Sequence, residues 1–275
     1  MGLRISTNMA SISSQRALSG QTKRQEKAAQ SLATGNRITK ASDDSAGFAI
    51  AENMKMDIRG TQQAKSNALN AVSTLQVAEG SLSETANLLG RLKELGVQSA
   101  SDTVGETERG YLNQEATSLA KEIERISNTT EFGGRKLLDG SGPEFDFHVG
   151  AGFDDNNVIS HTIEGNTTLS GLGLTGVDIT SKSGARDLLE NLDGAINSVS
   201  KMRAGLGAIQ SRLEATGNVL SSREENVMAA RSRLMDADVA KEAADLASAS
   251  MLQSAAVSVL SQANQQPYVA MKLLG

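Results

Sequence analysis

Residues 185–234 read ARDLLENLDGAINSVSKMRAGLGAIQSRLEATGNVLSSREENVMAARSRL. A Leu or Val recurs there at every seventh position: Leu192, Val199, Leu206, Leu213, Leu220, Val227 and Leu234. The positions three residues further on are mostly apolar, among them Ala195, Met202 and Ile209. Because a strict seven-residue repeat winds helices into a left-handed supercoil, the stretch predicts a coiled-coil helix over about 185–234, roughly 70 Å long.

Four glycines interrupt this helix, at Gly194, Gly205, Gly207 and Gly217. Each lowers helix propensity by about 1 kcal/mol relative to Ala. Two explanations are open at this point. Either tertiary packing tolerates the glycines, or a neighbouring helix approaches closely where they stand.

Two further helices with matching apolar stripes are expected in the first half of the chain, over about 44–99 and 104–128. Ser42 or Asp43 can cap the first of them. With the heptad helix they predict an antiparallel helical rod over residues 43–235. Its expected core consists of large aliphatic side chains: Leu75, Leu82, Leu89, Leu119, Ile123, Leu206, Leu213 and Leu220.

The stretch 131–182 breaks the helical pattern with many glycines and two strand-like segments, 145–149 and 158–163. It predicts a small β-rich insert. His148 and His161 could face each other across a hairpin there, as a solvent-facing pair more readily than as a metal site. Gly171–Gly176 matches a dinucleotide-binding glycine pattern, but without a βαβ unit around it the segment is interpreted as a loop.

The ends of the chain, residues 1–42 and 236–275, carry thin stripes of small or apolar residues and too little core to fold alone. They are expected to form a terminal two-helix coiled coil that also contacts other copies. The expected assembly residues are Ile5, Met9, Ile12, Leu246, Leu252, Val259 and Ala263. The stretch 246–271 lacks charges and is long enough to cross a bilayer, but its many Ser and Gln residues favour burial against protein over membrane insertion.

Composition excludes several classes of site. The chain has 275 residues and no cysteine, which rules out disulfides and thiolate chemistry. A net charge of −5 argues against a general nucleic-acid surface. No catalytic constellation, metal-ligand spacing or cofactor motif stands out, so we expect a protein that is not an enzyme and has no cofactor. The N-terminus shows no cleavable signal of the usual kind.

Several blocks of the sequence resemble signatures of bacterial flagellins, and they occur in that family's order. They are SLATGNRI at 31–38, ASDDSAGFAIA at 41–51, ELGVQSA at 94–100, ISNTTEFGGRKLL at 126–138, AARSRL at 229–234, DAD at 236–238 and QAN at 262–264, with Pro267 and the closing Leu273-Leu274. The resemblance implies a structural subunit that polymerises into the flagellar filament, with both termini in an inner coiled-coil layer. Because the insert has only about fifty residues, it implies a minimal form without large outer domains.

The same resemblance implies the partners. They are other copies of the chain, the flagellar export apparatus and its chaperone, and the filament cap and junction proteins. The resemblance also implies that the protein is secreted and lies outside the cell in the filament. Flagellins sensed by the vertebrate Toll-like flagellin receptor present an Arg, a Leu and a Glu, which Arg91, Leu95 and Glu115 match; Gly90 stands where a Gln is usual. An ordinary rod face is the alternative, with Arg91 paired to Glu94 or Leu95 packed inward.

Three other functions stay open at this stage. A hook–filament junction protein shares the terminal helices, although the insert and the block Thr129–Phe132 favour the filament protein. A non-flagellar coiled-coil scaffold would explain the heptads but not the paired ends. An enzyme carried on a flagellin frame would need a catalytic insert.

Overall fold

The computed structural model describes residues 8–142, 144–163 and 165–272. Within these ranges the elements are α1 (Met9–Thr34), α2 (Ser45–Ala100), α3 (Glu106–Thr129), β1 (Glu131–Phe132), β2 (Arg135–Lys136), β3 (Glu144–His148), a 3-10 turn (Asp155–Asn157), β4 (Val158–Thr162), α4 (Lys182–Met235) and α5 (Val239–Lys272). The predicted mainly α fold, a helical bundle with a small β-rich insert and a terminal helix pair, is confirmed.

The chain divides into two compact units. The central unit is Ile58–Glu225, and the terminal unit combines Met1–Asp57 with Asn226–Gly275. Helices α2 and α4 each contribute to both units, because Asp57 and Glu225 lie inside them.

In the central unit α2 and α4 run antiparallel. Lys93 Nζ donates to Asp193 Oδ1 at 2.6 Å near one end, and Gln62 Nε2 donates to Glu224 Oε1 at 2.7 Å near the other. The interior holds one continuous apolar cluster from α2, α3, α4 and the insert, which includes Leu75, Leu82, Leu89, Ile123, Leu206 and Leu213. Leu119 packs against that cluster half-buried, and Leu220 is buried outside it.

The glycines of α4 are tolerated; they do not mark a close helix contact within this chain. A Cβ placed at Gly194, Gly205, Gly207 or Gly217 would meet nothing within 4 Å. The close approach lies instead at Gly96 of α2, where a Cβ would stand 3.1 Å from Leu189 Cδ2. The tight approach of α4 therefore lies at a glycine of α2, and a larger residue there would require Leu189 to shift.

The insert contains two antiparallel hairpins. Gly133 and Gly134 join β1 to β2 with φ values of 60° and 76°, the left-handed conformation that a tight two-residue hairpin turn requires. In the second hairpin Phe145 pairs with His161 and His148 with Val158. Cross-strand partners share a face and neighbouring positions alternate, so the two histidines lie on opposite faces and the expected facing pair is wrong.

Asp44, and neither Ser42 nor Asp43, caps the start of α2. Its Oδ1 accepts a hydrogen bond of 2.9 Å from the backbone N–H of Gly47. Such a carboxylate satisfies one of the free N–H groups in the first turn and sits favourably at the positive end of the helix dipole. Asp43 is thereby left for a different task in the connection between α1 and α2.

Candidate assembly interface

Helices α1 and α5 of the terminal unit pack along each other in opposite directions. Asn8 Nδ2 donates to the carbonyl oxygen of Ala263 at 2.8 Å, and Ser11 Oγ donates to Asn264 Oδ1 at 2.8 Å. Toward the other end the backbone N–H of Ala237 donates to the carbonyl oxygen of Gly35 at 2.9 Å. The two extremities of the chain therefore form one helix pair.

Small side chains form the contact between these helices. The buried positions are Ser14, Ala28, Ser31, Ala249 and Ala263. Such residues let two backbones come close but remove little apolar area from water, and burial contributes only about 25 cal/mol per Å². The helix pair is consequently held by a much smaller core than the central unit.

The larger apolar side chains of this pair point away from the contact. Of the expected assembly residues, Met9, Ile12, Leu252 and Val259 are exposed, Leu246 is half-buried and Ala263 is buried in the contact. Ile5 lies outside the described residues. Several large apolar side chains left exposed on one helix pair are a candidate contact surface for another protein.

Three further exposed apolar residues of α5 were not singled out from the sequence, Met251, Val257 and Tyr268, and Val239 at the start of this helix is exposed as well. The signal was present, because α5 is almost uncharged beyond Asp245 and its apolar residues are spread around the helix, so one partner helix cannot cover them all. By length and composition α5 is also able to cross a membrane over Val239–Gln266, a weak criterion that protein-covered helices can meet too. The polar Ser and Gln residues along it favour a protein environment.

The two connections that lead into the helix pair are joined to each other. The backbone N–H of Arg37 donates to the carbonyl oxygen of Met235 at 2.6 Å, and its guanidinium donates to the carbonyl oxygen of Leu234 at 2.9 Å. Arg37 thus satisfies carbonyl groups at the C-terminal end of α4, where a cation is favourable. Beneath this joint Ile38 is buried against Ala51 and Met235.

Asp43 ties this joint to α1. Its carboxylate accepts hydrogen bonds from the backbone N–H groups of Thr39 and Lys40 and lies 3.1 Å from Lys27 Nζ on α1. The hydrogen bond from Lys27, reinforced by those from the loop, lowers the pKa of Asp43 from 3.8 to about 2. The joint therefore contains a carboxylate that stays ionised well into the acidic range.

The expected receptor face lies on α2 and α3 of the central unit. Arg91 donates to Glu94 Oε2 at 2.8 Å and to Glu115 Oε1 at 2.9 Å, and these two carboxylates hold the pKa of Arg91 above its ordinary value. The side chains of Arg91 and Glu115 are 51% and 44% exposed. Leu95 is only 1% exposed and belongs to the core, so the expectation that it lies on the receptor surface is wrong. Its side chain packs inward.

Family profiles match both halves of the chain. The bacterial flagellin N-terminal helical region matches residues 5–142, and the bacterial flagellin C-terminal helical region matches residues 189–274. This chain belongs to the bacterial flagellin family. The matched regions contain all five α-helices described above except the first seven residues of α4.

Full-length relatives support the same assignment. A flagellin of Halalkalibacterium halodurans is 38% identical over 98% of this chain and 99% of its own length. The flagellar filament 30.7 kDa core protein of Treponema maltophilum is 35% identical over 98% and 99%. A crystal structure of Bacillus cereus flagellin covers 60% of this chain and 94% of its own, with 26% identity and a TM-score of 0.51. Coverage of whole relatives makes this a small flagellin without a large outer domain.

Proposed function

We infer that this flagellin is a structural subunit that polymerises with its own copies into the bacterial flagellar filament. The observation that carries this inference is the helix pair α1–α5. Its contact is made of small residues, while Met9, Leu252 and Val259 are left exposed. A polymer supplies what the single chain lacks, namely neighbours that bury these side chains.

The inner layer of the filament is proposed to consist of residues 1–42 and 236–275, with 43–235 outside it. Ile5, Met9, Ile12, Leu246, Leu252, Val259 and Ala263 are proposed as its assembly residues. What supports the proposal is the exposure of most of the described members and the antiparallel hydrogen bonds that bring residues 8–11 beside residues 263–264. In this arrangement both ends of one chain enter the same layer.

The remaining partners are proposed from the family. We expect a flagellar chaperone to deliver the chain to the export apparatus, and the exported chain to be added to the filament beneath a filament cap. The filament is expected to start at the junction proteins and to lie outside the cell. The absence of cysteine suits a chain that travels unfolded, because no disulfide or reactive thiol can trap it on the way. A vertebrate Toll-like receptor is proposed as a further partner through Arg91 and Glu115.

Negative-stain electron microscopy of the purified protein tests the inference directly. We expect long filaments to form once the monomer concentration exceeds a threshold, and to pellet on sedimentation. A variant with Met9, Leu252 and Val259 all changed to Ser serves as the matched test, because these side chains are exposed in the single chain and their loss should not unfold the central unit. Filaments at an unchanged threshold would show that the α1–α5 surface is not the assembly interface.

A further inference from the structure

The most exposed large apolar side chain among the described residues is Phe153, at 95% exposure. It stands in the loop that joins β3 to β4, residues 149–157, and is followed by the exposed acidic residues Asp154 and Asp155. An exposed aromatic ring adds nothing to the stability of the single chain, because the favourable free energy comes from removing its apolar area from water. The loop therefore presents a ring with two carboxylates beside it.

The geometry of this loop is closely fixed. Its ends are joined by a hydrogen bond of 2.8 Å from the backbone N–H of Val149 to the carbonyl oxygen of Asn157. Gly150 has no room for a Cβ beside Asn157 Oδ1. Ala151 rests on α2 at Gly60, where a Cβ would lie 3.0 Å from the Cβ of Ala151. Phe153 thus stands in an exposed loop whose two ends are held together and which contacts α2 at Ala151.

A groove of about 600 Å³ opens elsewhere on the central unit, between α4 and the other end of the same hairpin. We call it the α4 groove. Its walls are apolar at Leu82, Met202 and Leu206, and Lys201 and His161 contribute polar atoms. Gly205 lies in its wall, and a Cβ at that position would meet nothing within 4 Å, so the space beside the glycine is unfilled by the chain itself.

The loop and the groove match in chemistry but cannot meet within one chain. The loop contacts α2 at Gly60 and the groove is lined by Leu82, and these two positions of α2 lie about 33 Å apart along the helix axis at 1.5 Å per residue. The loop offers an aromatic ring with two acidic neighbours, while the groove offers apolar walls and an exposed lysine. Complementary patches on different parts of one surface pair head to tail between copies, and such contacts build open helical filaments when the rotation from copy to copy does not close into a ring.

We propose that Phe153 of one subunit inserts into the α4 groove of a second copy, with Asp154 or Asp155 facing Lys201. This contact is heterologous, so each added subunit presents a new loop and a new groove to the next. The proposal rests on the filament function inferred above and extends it to a second interface, made by the central unit.

Cysteine cross-linking tests the pairing. Because the chain has no cysteine of its own, any disulfide that forms must join the introduced thiols. The variant Asp154→Cys, Lys201→Cys keeps Phe153 and places one thiol beside the ring and one beside the groove. A disulfide within one chain is excluded, since the two Cα atoms would need to lie within about 7 Å. Oxidised filaments should therefore give a ladder of dimers, trimers and higher species on a non-reducing gel. Asp154→Cys, Arg212→Cys, with the second thiol further along α4, should give none.

A second measurement blocks the groove without removing the ring. Gly205→Leu fills the groove from within α4, and Gly217→Leu is the matched control, because its Cβ position is equally free of contacts but lies outside the groove. We expect Gly205→Leu and Phe153→Ser each to raise the critical concentration for seeded polymerisation about tenfold or more, the equivalent of losing one buried aromatic side chain. Gly217→Leu should leave it within about twofold, and circular dichroism should show all three variants as helical as the unchanged protein.

The outcomes separate this proposal from the general one. Filaments without a cross-linked ladder, or equal critical concentrations for Gly205→Leu and Gly217→Leu, overturn the loop-in-groove contact and leave the filament function standing. If the unchanged protein forms no filaments under any of these conditions, the proposed function itself fails. A ladder together with a selective effect of Gly205→Leu supports the contact.

Discussion

The central and terminal units are both helical, yet they obtain their structure from different sources. In the central unit Leu75, Leu82, Leu89, Leu206 and Leu213 lie in a common core and are almost fully buried. In the terminal unit the contact between α1 and α5 is made of Ala and Ser, and Met251, Leu252 and Val259 remain in water. The central unit therefore has a large apolar core of its own, whereas under the proposed function the terminal unit depends on neighbouring copies to cover its apolar side chains.

Removing the ends should separate these two properties most sharply. Deletion of residues 1–35 or of 239–275 should abolish filaments, because backbone ordering costs about 1–2 kcal/mol per residue and the small α1–α5 contact offsets only part of it without neighbouring subunits. The helical melt of the central unit should be nearly unchanged, since its core lies between residues 58 and 225. Sedimentation and circular dichroism on the two deletions and on the doubly trimmed chain are the measurements. A trimmed chain that still polymerises at the concentration sufficient for the full chain would show that the terminal helices are not the assembly interface.

A matched pair of leucines tests the same comparison at single-residue scale. Leu213→Ala removes a side chain 1% exposed in the central core and should lower the free energy of unfolding by about 2–5 kcal/mol through lost burial and a cavity. Leu252→Ala removes a side chain 49% exposed on α5 and should change monomer stability by less than about 0.5 kcal/mol. Denaturant melts of the monomer give both values. If Leu213→Ala costs less than 1 kcal/mol, the burial assigned to the central core does not describe the protein in solution.

Leu252→Ala should instead act on the polymer. Its side chain is available to a neighbouring subunit, so its loss should raise the critical concentration for assembly while Leu213→Ala, corrected for the fraction folded, should not. Opposite effects of the two substitutions on monomer and polymer would show that the central core stabilises the single chain and the α5 surface stabilises the polymer.

The stability of the connection between α1 and α2 in the terminal unit should depend on pH, because Asp43 holds it to Lys27 of α1. The pKa of Asp43 is lowered to about 2 from 3.8, so its stabilising effect is complete above about pH 4 and disappears as the pH falls toward 2. Asp43→Asn should destabilise the terminal helices by about 1 kcal/mol at pH 7 after allowance for solvent screening, and should remove that part of the acid sensitivity. The measurement is the helical signal of the full chain minus that of the doubly trimmed chain between pH 2 and 7.

Asp44→Asn is the control for this prediction. Asp44 caps α2 from the neighbouring position, and Asn caps a helix about as well as Asp. The control should therefore leave the terminal helices intact. An equal acid transition in Asp43→Asn and the unchanged chain would show that Asp43 does not govern the joint.

The sequence was most informative where one physical rule acted alone. The seven-residue repeat of Leu and Val predicted α4, and five of its seven members are buried in the structure: Leu192, Val199, Leu206, Leu213 and Leu220. The rule weakens at Val227 and Leu234, which are half-buried. There α4 has left the central unit, and the repeat no longer faces the same core.

Local chemistry was harder to predict because adjacent residues could serve the same purpose. Asp43 and Asp44 have the same side chain and both precede α2, so the sequence alone cannot say which of them caps the helix. In the structure Asp44 caps α2 and Asp43 forms the ion pair with Lys27. The inward position of Leu95 was readable, since it follows Leu88 and Leu92 at helical spacing. The α4 groove was not, because it depends on how the hairpin lies against α4, which no local pattern encodes.

Receptor recognition should produce the smallest effect on either unit, because Arg91 and Glu115 form an exposed ion pair, and such pairs contribute little to stability. Arg91→Ala, Glu115→Ala should leave the melt of the central unit unchanged. In a reporter-cell assay for the vertebrate Toll-like flagellin receptor, the double variant should give a weaker signal than the unchanged protein. Leu95→Ala is not a valid test of the surface, since that side chain is 1% exposed and its loss would disturb the core.

Gly90 allows the receptor proposal to be tested in the opposite direction. It stands beside Arg91 on α2, and a Cβ there would meet nothing within 4 Å, so Gly90→Gln introduces a side chain onto this face without displacing the core. Because the added amide supplies the group that receptor-sensed flagellins usually present, the signal should rise, and the replaced helical glycine should make α2 slightly more stable. A gain with Gly90→Gln and a loss with the double variant would place the contact on this face of the central unit. Equal signals from all three proteins would remove Arg91 and Glu115 from receptor recognition and leave them as an ordinary solvated ion pair.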